Sequence, residues 1–278
     1  MTLKLISLDV DGTLLNDDRR ITPKTYEILM ACQQEGIKIV LCSGRPFQGL
    51  QALADQLQLD HFGGYLAGYN GGRVYDIKNQ KTLFSQTISA PLARKIYDHL
   101  EQFEIHPFLD VDAYMYVNDA YADIGIPVFD FPSVVAYEAR NGHFKICEVD
   151  HIGEKVPSEG VYKILLAGNP DYLKENYQEM AAPFLNETIS NFSAPFYFEF
   201  TAQGIDKANS LEKAFKPLGF HPDDIIAFGD NGNDITMLQY AGVGVAMGNA
   251  TDEVKATADI VTSDNNQDGI AMILENYL

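Results

Sequence analysis

Cations are scarce in this sequence: 20 Lys and Arg stand against 39 Asp and Glu, a formal net charge of −19 over 278 residues. A surface this acidic excludes nucleic acid and anionic membranes as partners, because binding to either depends on neutralising phosphates with cations. Long apolar runs are missing as well. No stretch reaches the roughly 18 apolar residues a spanning helix needs, and Met1-Thr2-Leu3-Lys4 leads into a strand-like segment with no signal-peptide layout. A soluble, cytoplasmic protein is therefore expected. Cysteine is equally sparse. Cys32, Cys42 and Cys147 are odd in number, far apart and without paired-ligand spacing, so neither a disulfide framework nor a zinc site is indicated. All three are expected to be small core residues. Internal repeats, low-complexity tracts and a Walker A pattern are also absent, the last arguing against an ATP-dependent kinase. The six histidines show no ligand spacing.

What is present suffices for a folded core. Hydrophobic residues make up 46% of the chain, and the length suits one or two domains at about 100–200 residues each. Residues 3–8 form a near-continuous apolar run, as expected of a strand covered on both faces. Thr22-Pro23 caps a helix that runs to Glu35 and stops at Gly36. Residues 37–42 read as a second buried strand and residues 65–68 as a third, followed by the turn residues Asn70-Gly71-Gly72 and a hairpin. Strand, helix, strand in this order predicts right-handed crossovers and a parallel sheet. Between about residues 85 and 195 the texture changes to longer, partly alternating strands (106–117, 161–167) with helices at 91–103 and 171–183. Strands and helices then alternate again to the end. The expected architecture is a Rossmann-like α/β core, residues 1–84 plus 200–278, interrupted by an inserted α+β domain, residues 85–199.

Open α/β sheets bind ligands outside the carboxyl ends of their strands, and four polar clusters fall at such ends or at a helix start. Asp9 and Asp11 close the first strand and Ser43 the second; Lys207 opens a helix, and Gly229-Asp230-Asn231-Gly232-Asn233-Asp234 closes a later strand. One Asp-x-Asp pair alone reads as easily as a turn or cap; four coinciding clusters do not. Asp9, Asp11, Asp230 and Asp234 could not all stay ionised within a few Å of one another without a compensating cation. A hard divalent ion with oxygen ligands is the economical answer, and Mg²⁺ also accepts phosphate oxygens. Ser43 with its neighbouring backbone N–H groups, and the Lys207 ammonium, are donors suited to a phosphoryl group. A carboxylate can attack phosphorus while a second one moves protons, which gives a reason for two aspartates so close together.

Asp9-Val10-Asp11-Gly12-Thr13, Ser43-Gly44-Arg45, Lys207 and Gly229 to Asp234 resemble the four ordered motifs of the haloacid dehalogenase (HAD) superfamily. The large insert between the second and third motifs is similar to that of its Cof-like phosphatases with a type IIB cap. Tyr69-Asn70-Gly71-Gly72, Gly244 to Ala250 and Asp268-Gly269-Ile270 extend the resemblance along the chain. The resemblance implies that Asp9 is nucleophile and metal ligand, and that Asp11 is general acid/base and binds metal through its backbone carbonyl. It also implies that Asp230 completes the Mg²⁺ site with Asp234 in or next to it, and that Ser43, Gly44, Lys207 and Asn233 hold the phosphoryl group. Ala208-Asn209 after Lys207 departs from the small Gly-containing pair common in the family. The implied reaction is hydrolysis of a small phosphorylated metabolite such as a sugar phosphate through an aspartyl-phosphate. A phosphomutase or phosphonate hydrolase on the same fold, and a phosphate-ligand sensor, remain alternatives; a phosphonate hydrolase would need a Schiff-base lysine that no cap residue announces. The glycine pattern from Gly242 to Gly248 lacks the context of a dinucleotide site. Arg140, His143 and Lys145 are cap residues that could meet a leaving group, although a solvated face explains them as well.

Overall fold

The computed structural model describes residues 3–128 and 131–278. The first 85 residues form β1 (Leu5–Leu8), α1 (Pro23–Gln34), β2 (Lys38–Cys42), α2 (Gln48–Gln56), α3 (Leu59–Phe62), β3 (Tyr65–Gly68), β4 (Arg73–Asp76) and β5 (Lys81–Ser85). Next come α4 (Ala90–Leu100), β6 (His106–Val111), β7 (Tyr114–Val117), α5 (Val134–Gly142), β8 (Lys145–Glu148), β9 (Lys163–Ala167), α6 (Pro170–Ala181), β10 (Thr188–Ala194) and β11 (Tyr197–Ala202). The chain ends with α7 (Lys207–Phe215), β12 (Ile225–Gly229), α8 (Ile235–Tyr240), β13 (Val243–Ala246), α9 (Asp252–Thr257), β14 (Ile260–Val261) and α10 (Gly269–Leu274). Two compact units result: Met1–Ser85 with Asp206–Leu278, and Gln86–Ile205.

The first unit carries an eight-stranded sheet in the order β14-β13-β12-β1-β2-β3-β4-β5. Pairing is parallel from β14 to β3 and antiparallel in β3-β4-β5, so the expected parallel sheet and the hairpin are both present. Every residue of β1 and β12 is buried, as helices on both faces require. Ile6, Leu8, Ile39 and Leu41 pack with Leu29 and Cys32 of α1, Leu50 of α2 and Leu274 of α10. On the other face, Leu5 and Val40 pack with Leu211 and Phe215 of α7, Met237 of α8 and Val254 of α9. Chain order reverses at β1, which has β2 on one side and β12 on the other. This switch point leaves a crevice at the carboxyl ends of β1, β2 and β12.

The second unit is a six-stranded sheet in the order β10-β11-β9-β6-β7-β8, antiparallel except for β7-β8. The expected 106–117 strand is two strands, because Asp112 turns the chain at φ 51, a conformation Asp tolerates better than most residues. The return to the core comes later than residue 200: β11 stays paired with β10 through Ala202. The two ends of the insert meet, with Gln86 Nε2 donating to the Gln203 carbonyl at 2.6 Å. Cys32 and Cys42 are buried as expected, but Cys147, on the outer strand β8, is only half-buried. Among the described residues, no helix is long and apolar enough to cross a membrane.

Candidate active site

Asp9 follows the last residue of β1 and is 6% exposed, with its N–H donating to the Phe228 carbonyl of β12 at 3.0 Å. That bond ties the carboxyl ends of the two central strands together. Lys207, the first residue of α7 and 1% exposed, donates from Nζ to Asp9 Oδ1 and Asp234 Oδ1, both at 2.6 Å, and to the Cys42 carbonyl at 3.1 Å. Its three ammonium donors are thereby used on β1, β2 and the loop after β12. Despite the Ala208-Asn209 departure, the start of α7 is well defined: Asp206 caps it, accepting from the Asn209 N–H at 2.8 Å. Asp234 is fully buried, and its second oxygen accepts from the N–H groups of Asp230 and Asn231 at 3.0 Å each. Asp234 thus shapes the loop that presents Asp230.

Asp230 is held from several directions. Thr13 Oγ1 donates to its Oδ1 at 2.7 Å, and its carbonyl accepts from the Thr251 N–H at 3.2 Å. Gly12 sits at φ +83, and a Cβ there would lie 2.4 Å from Asp230 Oδ2. Both facts demand glycine, since a side chain would be strained and would displace the carboxylate. Asn249 Nδ2 donates to the Gly12 carbonyl at 2.8 Å and fixes the same turn.

Among the described residues, Asp9, Asp230 and Asp234 offer carboxylate oxygens within 4.8 Å of one another. Lys207 is the cation among them, so negative charge is in excess. Burial, then Asp234 and Asp230, hold the Asp9 carboxyl well above the usual range despite Lys207. Burial first, with Asp234 adding, raises Asp230 to about 6 against the Thr13 hydrogen bond. Burial works against the charge of Lys207, yet Asp234 and Asp9 keep it above the ordinary lysine range. An all-oxygen donor set with unbalanced negative charge fits a hard divalent cation. Asp9 and Asp230 could hold one, whereas both oxygens of Asp234 already have partners.

The fourth aspartate stands apart from this cluster. The Asp11 side chain is 59% exposed, and Arg45 grips it with Nε to Oδ2 at 2.7 Å and Nη2 to Oδ1 at 2.5 Å. Such a two-point guanidinium pair fixes orientation as well as charge. Ser43, 3% exposed after β2, accepts at Oγ from the Arg45 N–H at 3.2 Å. Its carbonyl accepts from the Asn70 N–H at 3.0 Å. A Cβ on Gly44 would lie 3.0 Å from Asn70 Oδ1, and Asn233 Nδ2 donates to that same oxygen at 3.1 Å. The turn after β3 therefore links Ser43, Gly44 and Asn233.

Thr13, Arg45, Asn70 and Asn249 are site residues to which the sequence assigned no role. All four lie in stretches quoted above, but their partners are 34 to 237 positions away, and no local pattern reports such pairing. Arg140, His143 and Lys145 lie in the second unit; His143 closes α5 at φ 56, and the Lys145 ammonium sits 5.9 Å from the centre of the Tyr114 ring.

A family model described as haloacid dehalogenase-like hydrolase matches residues 6–274. A 5-amino-6-(5-phospho-D-ribitylamino)uracil phosphatase of Bacillus subtilis (strain 168) is 30% identical over 277 residues, covering 99% of this chain and 96% of the relative. A crystal structure of a haloacid dehalogenase-like hydrolase from Bacteroides thetaiotaomicron superposes with a TM-score of 0.90 at 30% identity, covering 100% of both chains. A sugar phosphatase of HAD subclass IIB shares the fold at a TM-score of 0.76 and 23% identity, covering 99% of this chain and 98% of that one.

Proposed function

Because this chain belongs to the haloacid dehalogenase-like hydrolases, we propose that it is a Mg²⁺-dependent phosphatase that hydrolyses a small cytoplasmic phosphomonoester, such as a sugar phosphate, through an aspartyl-phosphate. The observation that carries this reading is the Lys207 bridge between Asp9 and Asp234 inside a three-carboxylate cluster. It pins one oxygen of Asp9 at the mouth of the switch point and leaves a local charge that calls for a cation.

In the first step an Asp9 oxygen bonds to phosphorus, the ester P–O bond breaks, and the departing oxygen takes a proton from Asp11. In the second, Asp11 removes a proton from water, the water oxygen bonds to phosphorus, and inorganic phosphate leaves with Asp9 restored. The two-point pair with Arg45 favours the ionised Asp11 carboxylate, the form that takes the proton from water in the second step. Ser43, the Gly44 N–H and Asn233 bind the phosphoryl oxygens, and the Lys207 ammonium, its donors spent on Asp9, Asp234 and the Cys42 carbonyl, contributes positive charge beside them, as phosphoryl transfer requires positioning and charge neutralisation above all. Asp9, Asp230 and the Asp11 carbonyl would hold Mg²⁺, which supplies neutralisation of phosphoryl charge when bound. Asp234 supports Asp230 from behind.

The test is Mg²⁺-dependent phosphate release from a panel of small phosphate esters. Asp9→Asn should lower release by roughly 10³-fold or more, and chelation should abolish it. Asp9→Asn at the wild-type rate would remove the nucleophile assignment. Wild-type binding of esters without release would instead favour a ligand sensor.

A further inference from the structure

Residues 9–22, between β1 and α1, lie outside helix and strand and carry both Asp9 and Asp11. Loops of this kind are the more mobile parts of a fold, whereas proton transfer needs Asp11 in a fixed place. Within the loop, the Leu14 N–H donates to the Asp9 carbonyl at 3.2 Å and the Leu15 N–H to the Val10 carbonyl at 3.0 Å. Leu15 is thus bonded to the residue that stands between the two aspartates. Its own buried carbonyl accepts from Asn265 Nδ2 at 2.9 Å, across 250 positions of sequence. Asn265 is 7% exposed and belongs to the stretch that joins β14 to α10.

The same stretch grips the loop elsewhere. Asn265 Nδ2 also reaches Asp17 Oδ1 at 3.4 Å, the Asp17 N–H donates to Asn266 Oδ1 at 3.1 Å, and the Thr22 hydroxyl donates to Asp268. The Asn265 N–H donates to Asn249 Oδ1 at 3.1 Å, and Asn249 Nδ2 passes the contact on to the Gly12 carbonyl, next to Asp11, at 2.8 Å. The stretch is braced in turn: Thr262 Oγ1 donates to the Gly269 carbonyl at 2.8 Å and the Gly248 N–H to the Ser263 carbonyl at 3.0 Å. Leucine is close to asparagine in size and would serve a buried position that only packs. An amide is tolerated there only with partners, and most of those of Asn265 lie in, or lead to, the loop that carries Asp11. A satisfied polar network of this kind rigidifies what it joins.

We infer that Asn265 and Asn249 are positioning residues, which fix the backbone around Asp11 so that its carboxyl can hand a proton to the departing oxygen. The chemical part of this inference rests on the phosphatase reading; the bracing of the loop rests on the hydrogen bonds alone. Neither asparagine needs to touch the substrate. Arg45 grips the Asp11 side chain, whereas the two asparagines act on the chain that carries it. Asp9 is pinned independently, by Lys207 and by its N–H on the Phe228 carbonyl. Loosening the loop therefore displaces the proton donor more than the nucleophile.

The test uses the full chain and two esters, p-nitrophenyl phosphate and the sugar phosphate that the wild type cleaves fastest. p-Nitrophenolate departs without a proton, whereas a sugar alkoxide needs one, and kcat/KM covers the steps up to that departure. A positioned general acid is worth about 10²–10⁴-fold, so Asn265→Ala and Asn249→Ala should each lower kcat/KM for the sugar phosphate by about tenfold more than for p-nitrophenyl phosphate. Asn249 is exposed, so truncating it keeps the test open should Asn265→Ala fail to fold. An equal fall with both esters is what a merely structural role gives, and it would overturn the inference. Amide hydrogen exchange, measured without any ester, should quicken about tenfold at Leu14 and Leu15 in both variants, the scale of one lost hydrogen bond. Exchange at the wild-type rate would overturn the inference as well. Failure of the wild type to release phosphate from any ester would sink the phosphatase reading, while quickened exchange would still uphold the bracing of the loop.

Discussion

The Thr13 hydroxyl reaches Asp230 across 217 positions of sequence. By accepting that hydrogen bond, Asp230 keeps one oxygen oriented while the rest of its carboxylate is available to a cation, and partners behind a ligand commonly change metal affinity by about 10–100-fold. Thr13→Val keeps the shape and removes the donor. It should raise the Mg²⁺ concentration for half-maximal phosphate release about tenfold, with little change in rate at saturation. A titration superposing on the wild type would show that Asp230 is held by its loop alone. At this scale the sequence was informative where chemistry demands a residue type next to a strand end: Asp9, Asp230 and Lys207 are recognisable from position. The Arg45 grip on Asp11 was not legible, because it joins two loops from different strands and neither residue is unusual in its own neighbourhood.

Secondary-structure elements aim these side chains, and α7 is the most consequential because Lys207 is its first residue. Asp206 caps it, with a side-chain oxygen on the Asn209 N–H. Asp206→Ala should cost about 1 kcal/mol of stability, the usual value for a lost cap, read from the urea midpoint. It should also weaken phosphate-ester binding, because the first turn that places the ammonium can fray. A midpoint shift with no change in KM would show that the Asp9 and Asp234 carboxylates hold Lys207 in place without the cap. Elements in the first unit were readable because burial on both faces produces unbroken apolar runs, as in β1 and β2. The insert was harder. Its strands alternate, so a reversal such as that at Asp112 leaves the hydrophobic pattern nearly undisturbed, and β11 resembles a core strand until its pairing with β9 is seen.

For the whole molecule, pH should act through the insert as well as the catalytic crevice. Asp110 titrates near 7 when folded, against an ordinary value of 3.8. Between these values the folded state keeps a proton that the unfolded chain has released. Stability therefore falls as pH rises through this window and levels off above it. Asp110→Asn removes the penalty. Its melting temperature should exceed that of the wild type by about 4 °C at pH 8, and the gap should close toward pH 4. An equal gap at both pH values would show that Asp110 ionises as freely in the folded protein as in the unfolded chain. The division into two units was legible from the change in texture, though the second boundary was not, since β11 carries the insert's pairing through Ala202. The contact between Gln86 and the Gln203 carbonyl has an evolutionary consequence. A segment whose ends lie side by side is a cassette: a lineage can exchange, enlarge or lose it without rethreading the ancestral sheet. Descendants can then diversify what they recognise while inheriting their phosphoryl machinery unchanged.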